Sequence, residues 1–138
     1  MLGNKFFVGL IDDSKTVHIQ VYESFHQLQT HQYQVVGIDK DSCFDIIHHY
    51  PIDIFLIDLH LDGFPMDGYD FARYIRRNPV TKNKPILFIT SNIDSSVRVR
   101  ARAAGANSFI PKPFSFQQLL SKINELLLIQ LQDKFSEL

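Results

Sequence analysis

Cysteine is almost missing from this 138-residue chain: Cys43 stands alone, so no internal disulfide can form. A lone thiol fits a reducing compartment better than a cross-linked secreted scaffold, and its expected role is that of a small, half-buried hydrophobe. No uninterrupted apolar stretch approaches the roughly 20 residues a bilayer-spanning helix requires. The opening Met1-Leu2-Gly3-Asn4-Lys5 starts no long apolar segment either, so no membrane insertion is expected. An excess of one charge is lacking too. Fourteen Lys and Arg stand against fifteen Asp and Glu, for a net charge of −1, which argues against a nucleic-acid-coating protein or a disordered charged tail. Internal repeats, low-complexity tracts and linkers are absent. What remains is a chain of ordinary domain size with 45% apolar residues. It predicts one soluble cytoplasmic domain over 1–138, with its core over about 5–131 and an extended last helix.

Apolar runs of strand length recur at Phe6–Ile11, Tyr33–Ile38, Ile52–Ile57, Pro85–Ile89 and Asn107–Ile110. Helical periodicity predicts helices near Ser14–Thr30, Asp41–His49, Gly68–Arg77, Asp94–Ala104 and Ser115–Phe135, several with a Ser or Asp placed to cap the first turn. Gly105 is set to stop one of them in a left-handed cap. FFVGLI, IDIFLI and PILFI are nearly continuous in apolar residues, as strands covered on both faces must be. The expected fold is therefore α/β: a doubly wound (βα)5 three-layer sandwich around a parallel sheet. Its strand order, 2-1-3-4-5, is taken over from the common flavodoxin-like arrangement and not read from the residues. In that order the site lies beyond the carboxyl ends of strands one and three.

Those two ends carry acids. Strand one runs into Asp12-Asp13 and strand three into Asp58, which would bring three carboxylates into one crevice. Like charges so close either take up protons or bind a hard cation, and an oxygen-only donor set at a solvated edge suits Mg²⁺. The plainer reading, that Asp12 and Asp13 only cap the helix starting near Ser14, would win for either residue alone. The pairing with Asp58, and with Thr90 and Lys112 at the ends of strands four and five, tips the balance. In phosphoryl transfer Asp58 would be the nucleophile. Asp13 and Asp58 would hold Mg²⁺, with Asp12 acting directly or through water. Lys112 and Thr90 would each serve a phosphoryl oxygen.

The ordered set Asp12-Asp13, Asp58, Met66-Asp67-Gly68, Thr90-Ser91 and Lys112-Pro113 resembles the receiver domains of two-component response regulators, over almost the whole chain. The resemblance implies a stand-alone, chemotaxis-regulator-like switch that accepts a phosphoryl group on Asp58. It adds the backbone carbonyl of His60 to the metal ligands and makes Thr90 and Phe109 a switch pair acting on a helix 4/strand 5/helix 5 surface. It implies a sensor histidine kinase or phosphotransfer protein upstream and a protein effector downstream. It further implies Mg²⁺-dependent autodephosphorylation without conventional turnover; from the balanced charge and the lack of a DNA-binding module, no direct nucleic-acid contact is expected. His60 and Asn92 occupy positions that tune phosphoryl lifetime in such receivers. One departure stands out: the segment from Asp58 to Gly68 is two residues longer than the family pattern, through Leu61-Asp62-Gly63-Phe64-Pro65.

Other functions stay open at this stage. These are a phosphorelay intermediate, a receiver working without phosphorylation, an aspartyl-phosphate phosphatase and a flavin binder. A phosphatase would want Asp-x-Asp after strand one and a covering domain, and Asp12-Asp13 would repel a flavin phosphate. The adjacent His48 and His49 point to different helix faces and make a poor metal site. Arg98, Arg100 and Arg102 read more simply as a solvated face than as a docking patch. In the last helix Phe116, Leu119, Leu120, Ile123 and Leu127 form a core stripe, which Leu126, Leu128, Ile129 and Leu131 widen. A homodimer through that widened face and simple fraying of Leu131 to Leu138 are equally weighted expectations.

Overall fold

A computed structural model describes residues 5–28 and 32–136. The order is β1 (Phe6–Ile11), α1 (Lys15–His26), β2 (Tyr33–Gly37), α2 (Cys43–His49), β3 (Ile54–Asp58), α3 (Gly68–Arg77), β4 (Ile86–Thr90), α4 (Ser95–Ala104), β5 (Ser108–Pro111) and α5 (Phe116–Ser136). The strands form one sheet in the order β2-β1-β3-β4-β5, all neighbours parallel. That is the expected doubly wound order. The first helix ends at His26, short of Thr30, which lies outside the described residues. Strands three and four sit one or two residues later than the apolar runs suggested, so Asp58 and Thr90 close their strands instead of following them.

Alternating side chains of the sheet feed two cores. Val8, Leu10, Ile54, Leu56, Leu87 and Ile89 pack with Val21 and Phe25 of α1 and with Leu119, Ile123, Leu126 and Leu127 of α5. Ile11, Phe55, Ile57, Ile86 and Phe88 pack on the other face with Cys43 and Ile47 of α2, Phe71, Ala72 and Ile75 of α3, and Ala101 and Ala104 of α4. Every residue of β3 and β4 is buried, which is why those runs are continuously apolar. Each such aliphatic side chain contributes roughly 1.5–3 kcal/mol by leaving water. Leu126 belongs to this core, whereas Leu128, Ile129 and Leu131 of the widened stripe are exposed. Helix α5 continues through Ser136, and 137–138 lie outside the described residues.

Caps fix where helices begin. Ser14 Oγ accepts from the Val17 amide at 3.3 Å, and Asp67 Oδ1 from the Asp70 amide at 2.9 Å. Ser115 and Gln118 form a reciprocal capping box: Gln118 N donates to Ser115 Oγ at 3.1 Å and Ser115 N to Gln118 Oε1 at 2.9 Å. Helix α4 is held differently. Its cap residue Asp94 makes no side-chain capping bond, and only Ala101 and Ala104 of the helix are buried. It ends at Gly105, whose φ of +111° is open to glycine at little cost. Among the described residues no helix is long and apolar enough to cross a membrane.

Gly68 opens α3 directly beneath the end of β3. Its N–H donates to Leu59 O at 3.1 Å, and a Cβ there would collide with the Asp58 carbonyl oxygen and come within 2.8 Å of Leu59 Cα. Both obstacles are backbone and cannot rotate away. Gly68→Ala is therefore expected to lower stability by about 1–3 kcal/mol, read as a lower urea midpoint at unchanged slope. An unchanged midpoint would contradict this close approach.

Candidate functional site

The parallel register pairs Ile11 with Ile57, so Asp12 and Asp58 emerge side by side at the carboxyl edge of the sheet. Asp13 completes the group: one carboxylate oxygen from each of the three lies within 4.8 Å of the others. Asp12 and Asp58 are 3% and 7% exposed, an environment in which charges persist only when paired. Lys112, directly after β5, supplies the pairing. Its ammonium donates to Asp12 Oδ2 at 3.0 Å and to Asp58 Oδ2 at 3.0 Å. The lysine is delivered there by its own backbone, since Lys112 N donates to Thr90 O at 2.8 Å and so extends the β4–β5 ladder.

The remaining acceptors are shared out. Asp12 Oδ1 takes the Ser14 amide at 2.8 Å, so the helix-start role and the cluster role coexist in one carboxylate. His18 Nε2 bonds the Asp12 carbonyl at 2.8 Å, which requires a proton on that nitrogen. Asp58 Oδ1 accepts from His60 N at 3.3 Å. Exposed Asp13 accepts on Oδ2 from Asp62 N at 3.0 Å. The two-residue-longer loop therefore reaches the site through a backbone amide. The Asp62 side chain is not part of the cluster found among the described residues. The loop is anchored from below: Leu61 is buried, and Phe64 packs edge-on against Phe71 with ring centroids 6.0 Å apart.

Burial raises the Asp58 carboxyl above its ordinary range; the Lys112 hydrogen bond opposes the rise and the Asp12 charge adds to it. Burial by itself would lower the Lys112 ammonium, but the bonds and charges of Asp12 and Asp58 more than compensate, and its pKa is raised. Lys112 is thus a fixed cation between two acids. An all-oxygen donor set of three carboxylates, carrying more negative charge than one lysine offsets, fits a hard divalent cation.

Thr90 is 1% exposed and sits at the same edge, yet its hydroxyl is turned into its own loop: Oγ1 accepts from Asn92 N at 3.0 Å and donates to Asn92 O at 3.2 Å. Phe109 is half-buried on β5, with the Arg98 guanidinium 4.8 Å from its ring centroid. Arg100 lies likewise over Tyr69, at 4.2 Å. Arg98, Arg100 and Arg102 are all exposed, as the solvated-face reading expects, and two of them also lie over aromatic rings. His48 bonds Tyr74 and Asn78, and His49 pairs with Asp45, so both histidines have structural partners away from the acidic cluster.

With this geometry in hand, comparison with known proteins is decisive. Residues 8–124 match the response regulator receiver domain. The chain belongs to that family. The sensory transduction protein BceR of Halalkalibacterium halodurans is 31% identical over 123 residues, covering 88% of this chain and 50% of that protein. The probable chemotaxis protein CheY of Rhizobium etli is 27% identical over 122 residues, 88% of this chain and 92% of that one. A solved structure of a putative response regulator from Chloroflexus aurantiacus superposes with a TM-score of 0.79 at 27% identity, over 91% of this chain and 99% of the other. The receiver thus spans about half the length of BceR and nearly all of the chemotaxis relative. Receivers are signalling domains that work with histidine kinases and downstream effectors.

Within this receiver the structure bonds Lys112 to Asp12 and Asp58, sets an Asp13 oxygen within 4.8 Å of theirs, and leaves the Thr90 hydroxyl and the Phe109 ring engaged elsewhere. Sequence reasoning missed His18, which no motif singles out, and the seating of Leu61 and Phe64, which lie in an insertion that follows no period. The raised Asp58 pKa carries a sign. A carboxyl whose folded pKa exceeds its unfolded one contributes stability below the unfolded value, near 3.9, and loses it as pH rises through the folded value. Without divalent cations, Asp58→Asn should therefore be more stable than wild type at neutral pH, the gap closing on acidification below that value. Urea midpoints at the two pH values test this. A less stable mutant at neutral pH would mean that the Lys112 pairing outweighs the burial cost.

Proposed function

We propose that this receiver takes a phosphoryl group onto Asp58 from a phosphohistidine on a sensor kinase or phosphotransfer protein, and thereby alters a surface read by a protein effector. The observation that carries the reading is the Lys112 ammonium set 3.0 Å from both Asp12 and Asp58, with Asp13 completing the carboxylate group. Asp12, Asp13, Asp58 and the His60 backbone carbonyl would hold Mg²⁺, which when bound neutralises charge on the transferring oxygens. The proposed single domain runs over 1–138 with its core over about 5–131, and its proposed setting is the cytoplasm.

A carboxylate oxygen of Asp58 attacks phosphorus, the donor's phosphorus–nitrogen bond breaks, and the imidazole departs with the bond's electron pair and takes up a proton. Asp58 becomes a mixed anhydride. Lys112 holds Asp58 in place beforehand and turns to a phosphoryl oxygen afterwards, its bond to Asp58 replaced by one to the new anion. Thr90 gives up Asn92 O and donates its hydroxyl to another phosphoryl oxygen. The modification adds roughly −1.5 to −2 charges at one point, enough for Thr90 and Lys112 to bias a two-state surface. Water then attacks phosphorus, the phosphorus–oxygen bond to Asp58 breaks, and inorganic phosphate leaves with Asp58 again a carboxylate, so the domain modifies itself and turns over no separate substrate.

Incubation with phosphoramidate or acetyl phosphate and Mg²⁺ is expected to yield one hydroxylamine-labile phosphoryl adduct by intact-mass spectrometry, absent from Asp58→Asn and from an EDTA control. Lys112→Met is expected to slow adduct formation by about 10²-fold or more. A folded wild type that takes no adduct at any Mg²⁺ concentration would overturn the phosphoacceptor reading and favour a receiver that works unphosphorylated.

A further inference from the structure

Asp13 is held differently from the two acids beside it. Asp12 and Asp58 are buried and each accepts from the Lys112 ammonium, whereas Asp13 is exposed and has no such cation bond among the described residues. Fixing an exposed side chain in one rotamer costs conformational entropy. Asp13 nonetheless keeps an oxygen within 4.8 Å of both neighbours. Among the described residues one hydrogen bond holds its carboxylate, from Asp62 N to Oδ2 at 3.0 Å. Oδ1 is left open.

The donor is a backbone amide, and the loop around it is anchored on every side. Phe64 N donates to Leu61 O at 3.2 Å and Gly63 has a φ of +80°, which together fit a type II turn with Asp62 at its second position. The N–H at that position takes no part in the turn's own bond. Both ends of the turn are seated in the core beneath: Leu61 is buried, and Phe64 meets the Phe71 ring of α3 edge-on. Lys40, in the link between β2 and α2, lies along Gly63, its Cδ 3.5 Å from the place a Cβ would take. Gly68 N closes the far end of the loop on Leu59 O at 3.1 Å. The apolar core thus reaches, through one turn, to one oxygen of Asp13. The turn lies in the segment that is two residues longer than the family pattern, so the amide comes from the part of the loop in which this chain departs from its relatives.

We propose that Asp62 is a positioning residue acting through its N–H, which pre-sets Asp13 for a divalent cation and makes it a one-oxygen ligand. This rests on the receiver reading given above, in which Asp13 serves the cation. The Asp62 carboxylate takes no part, since it lies outside the acidic cluster found among the described residues. Groups that hydrogen-bond a metal-ligating side chain typically change metal affinity by about 10- to 100-fold. The bond also bears on which cation is held. Ca²⁺ takes carboxylates through one oxygen or both, whereas Mg²⁺ demands a near-octahedral shell at shorter distances. Closing both Asp13 oxygens on one ion would pull Oδ2 from a fixed amide, so the arrangement favours Mg²⁺.

The test is calorimetric titration of Mg²⁺ and of Ca²⁺ into the full chain, with no phosphodonor present. Proline is common at the second position of a type II turn, so Asp62→Pro removes the N–H and retains the turn. Asp62→Ala is its comparator, lacking the same carboxylate but keeping the N–H. Asp62→Pro is expected to bind Mg²⁺ about 10-fold more weakly than Asp62→Ala, with a clearly smaller loss for Ca²⁺. Equal Mg²⁺ constants in the two variants would overturn the proposal, as would equal losses for both cations. Amide hydrogen exchange of the metal-free chain decides the matter without proline: the Asp62 N–H is expected to exchange about 10-fold faster in Asp13→Ala than in wild type, and equal rates would overturn it. A wild type that binds neither cation sinks the cation reading and this one together. Mg²⁺ bound equally by Asp62→Pro and Asp62→Ala sinks the positioning role alone.

Discussion

One ammonium group lies 3.0 Å from an oxygen of Asp12 and 3.0 Å from an oxygen of Asp58, and that shared cation is what permits two buried carboxylates at neighbouring strand ends. Moving a carboxylate from water into a protein interior costs several kcal/mol after relaxation, so two of them without Lys112 would strain the edge where β1 and β3 meet. The lysine is placed by the sheet itself. Its backbone amide extends the β4–β5 ladder onto Thr90 O, so the positions of Asp58, its acidic neighbours and its cation all follow from strand register. The site is rigid because the sheet beneath it is buried on both faces.

Around this fixed edge other parts are lightly held. Thr90 is buried, yet its hydroxyl bonds only its own loop. Helix α4 buries two alanines, where α3 buries Tyr69, Phe71, Ala72 and Ile75. A helix with little apolar area at its seat loses little when it shifts, and segments of low local stability are where conformational switching is found. The same domain thus combines a stiff chemical centre with a loosely seated neighbour one loop away.

Most of the architecture was legible because doubly wound sheets demand a distinctive pattern: continuous apolar runs for β3 and β4, helical period between, and acids where strands stop. Element types held throughout, and boundaries moved by a few residues where a cap or a strand end depends on hydrogen bonds, as at Asp58 and Thr90. The cluster of Asp12, Asp13, Asp58 and Lys112 was readable as strand-end polar residues. What could not be read was orientation. Nothing in the sequence tells that Thr90 faces Asn92, that Asp62 contributes its amide and keeps its carboxylate out of the cluster, or that Arg98 and Arg100 lie on aromatic rings of other elements. Periodicity assigns a residue to a face of its own helix and says little about what the neighbouring element offers to that face. The apolar anchors of the longer loop, Leu61 and Phe64, were hidden for a related reason, since an insertion follows no period.

The central claim is that the carboxylate crevice is built for a hard cation, with Lys112 leaving negative charge for it to neutralise. The most direct measurement is the thermal midpoint of the wild-type chain and of Asp13→Asn with and without Mg²⁺. A ligand present at a hundredfold its Kd adds about 2.7 kcal/mol of stability, which corresponds to a rise of several degrees. The account predicts that rise for wild type and its loss in Asp13→Asn. No shift in the wild type, or an equal shift in both, would contradict it.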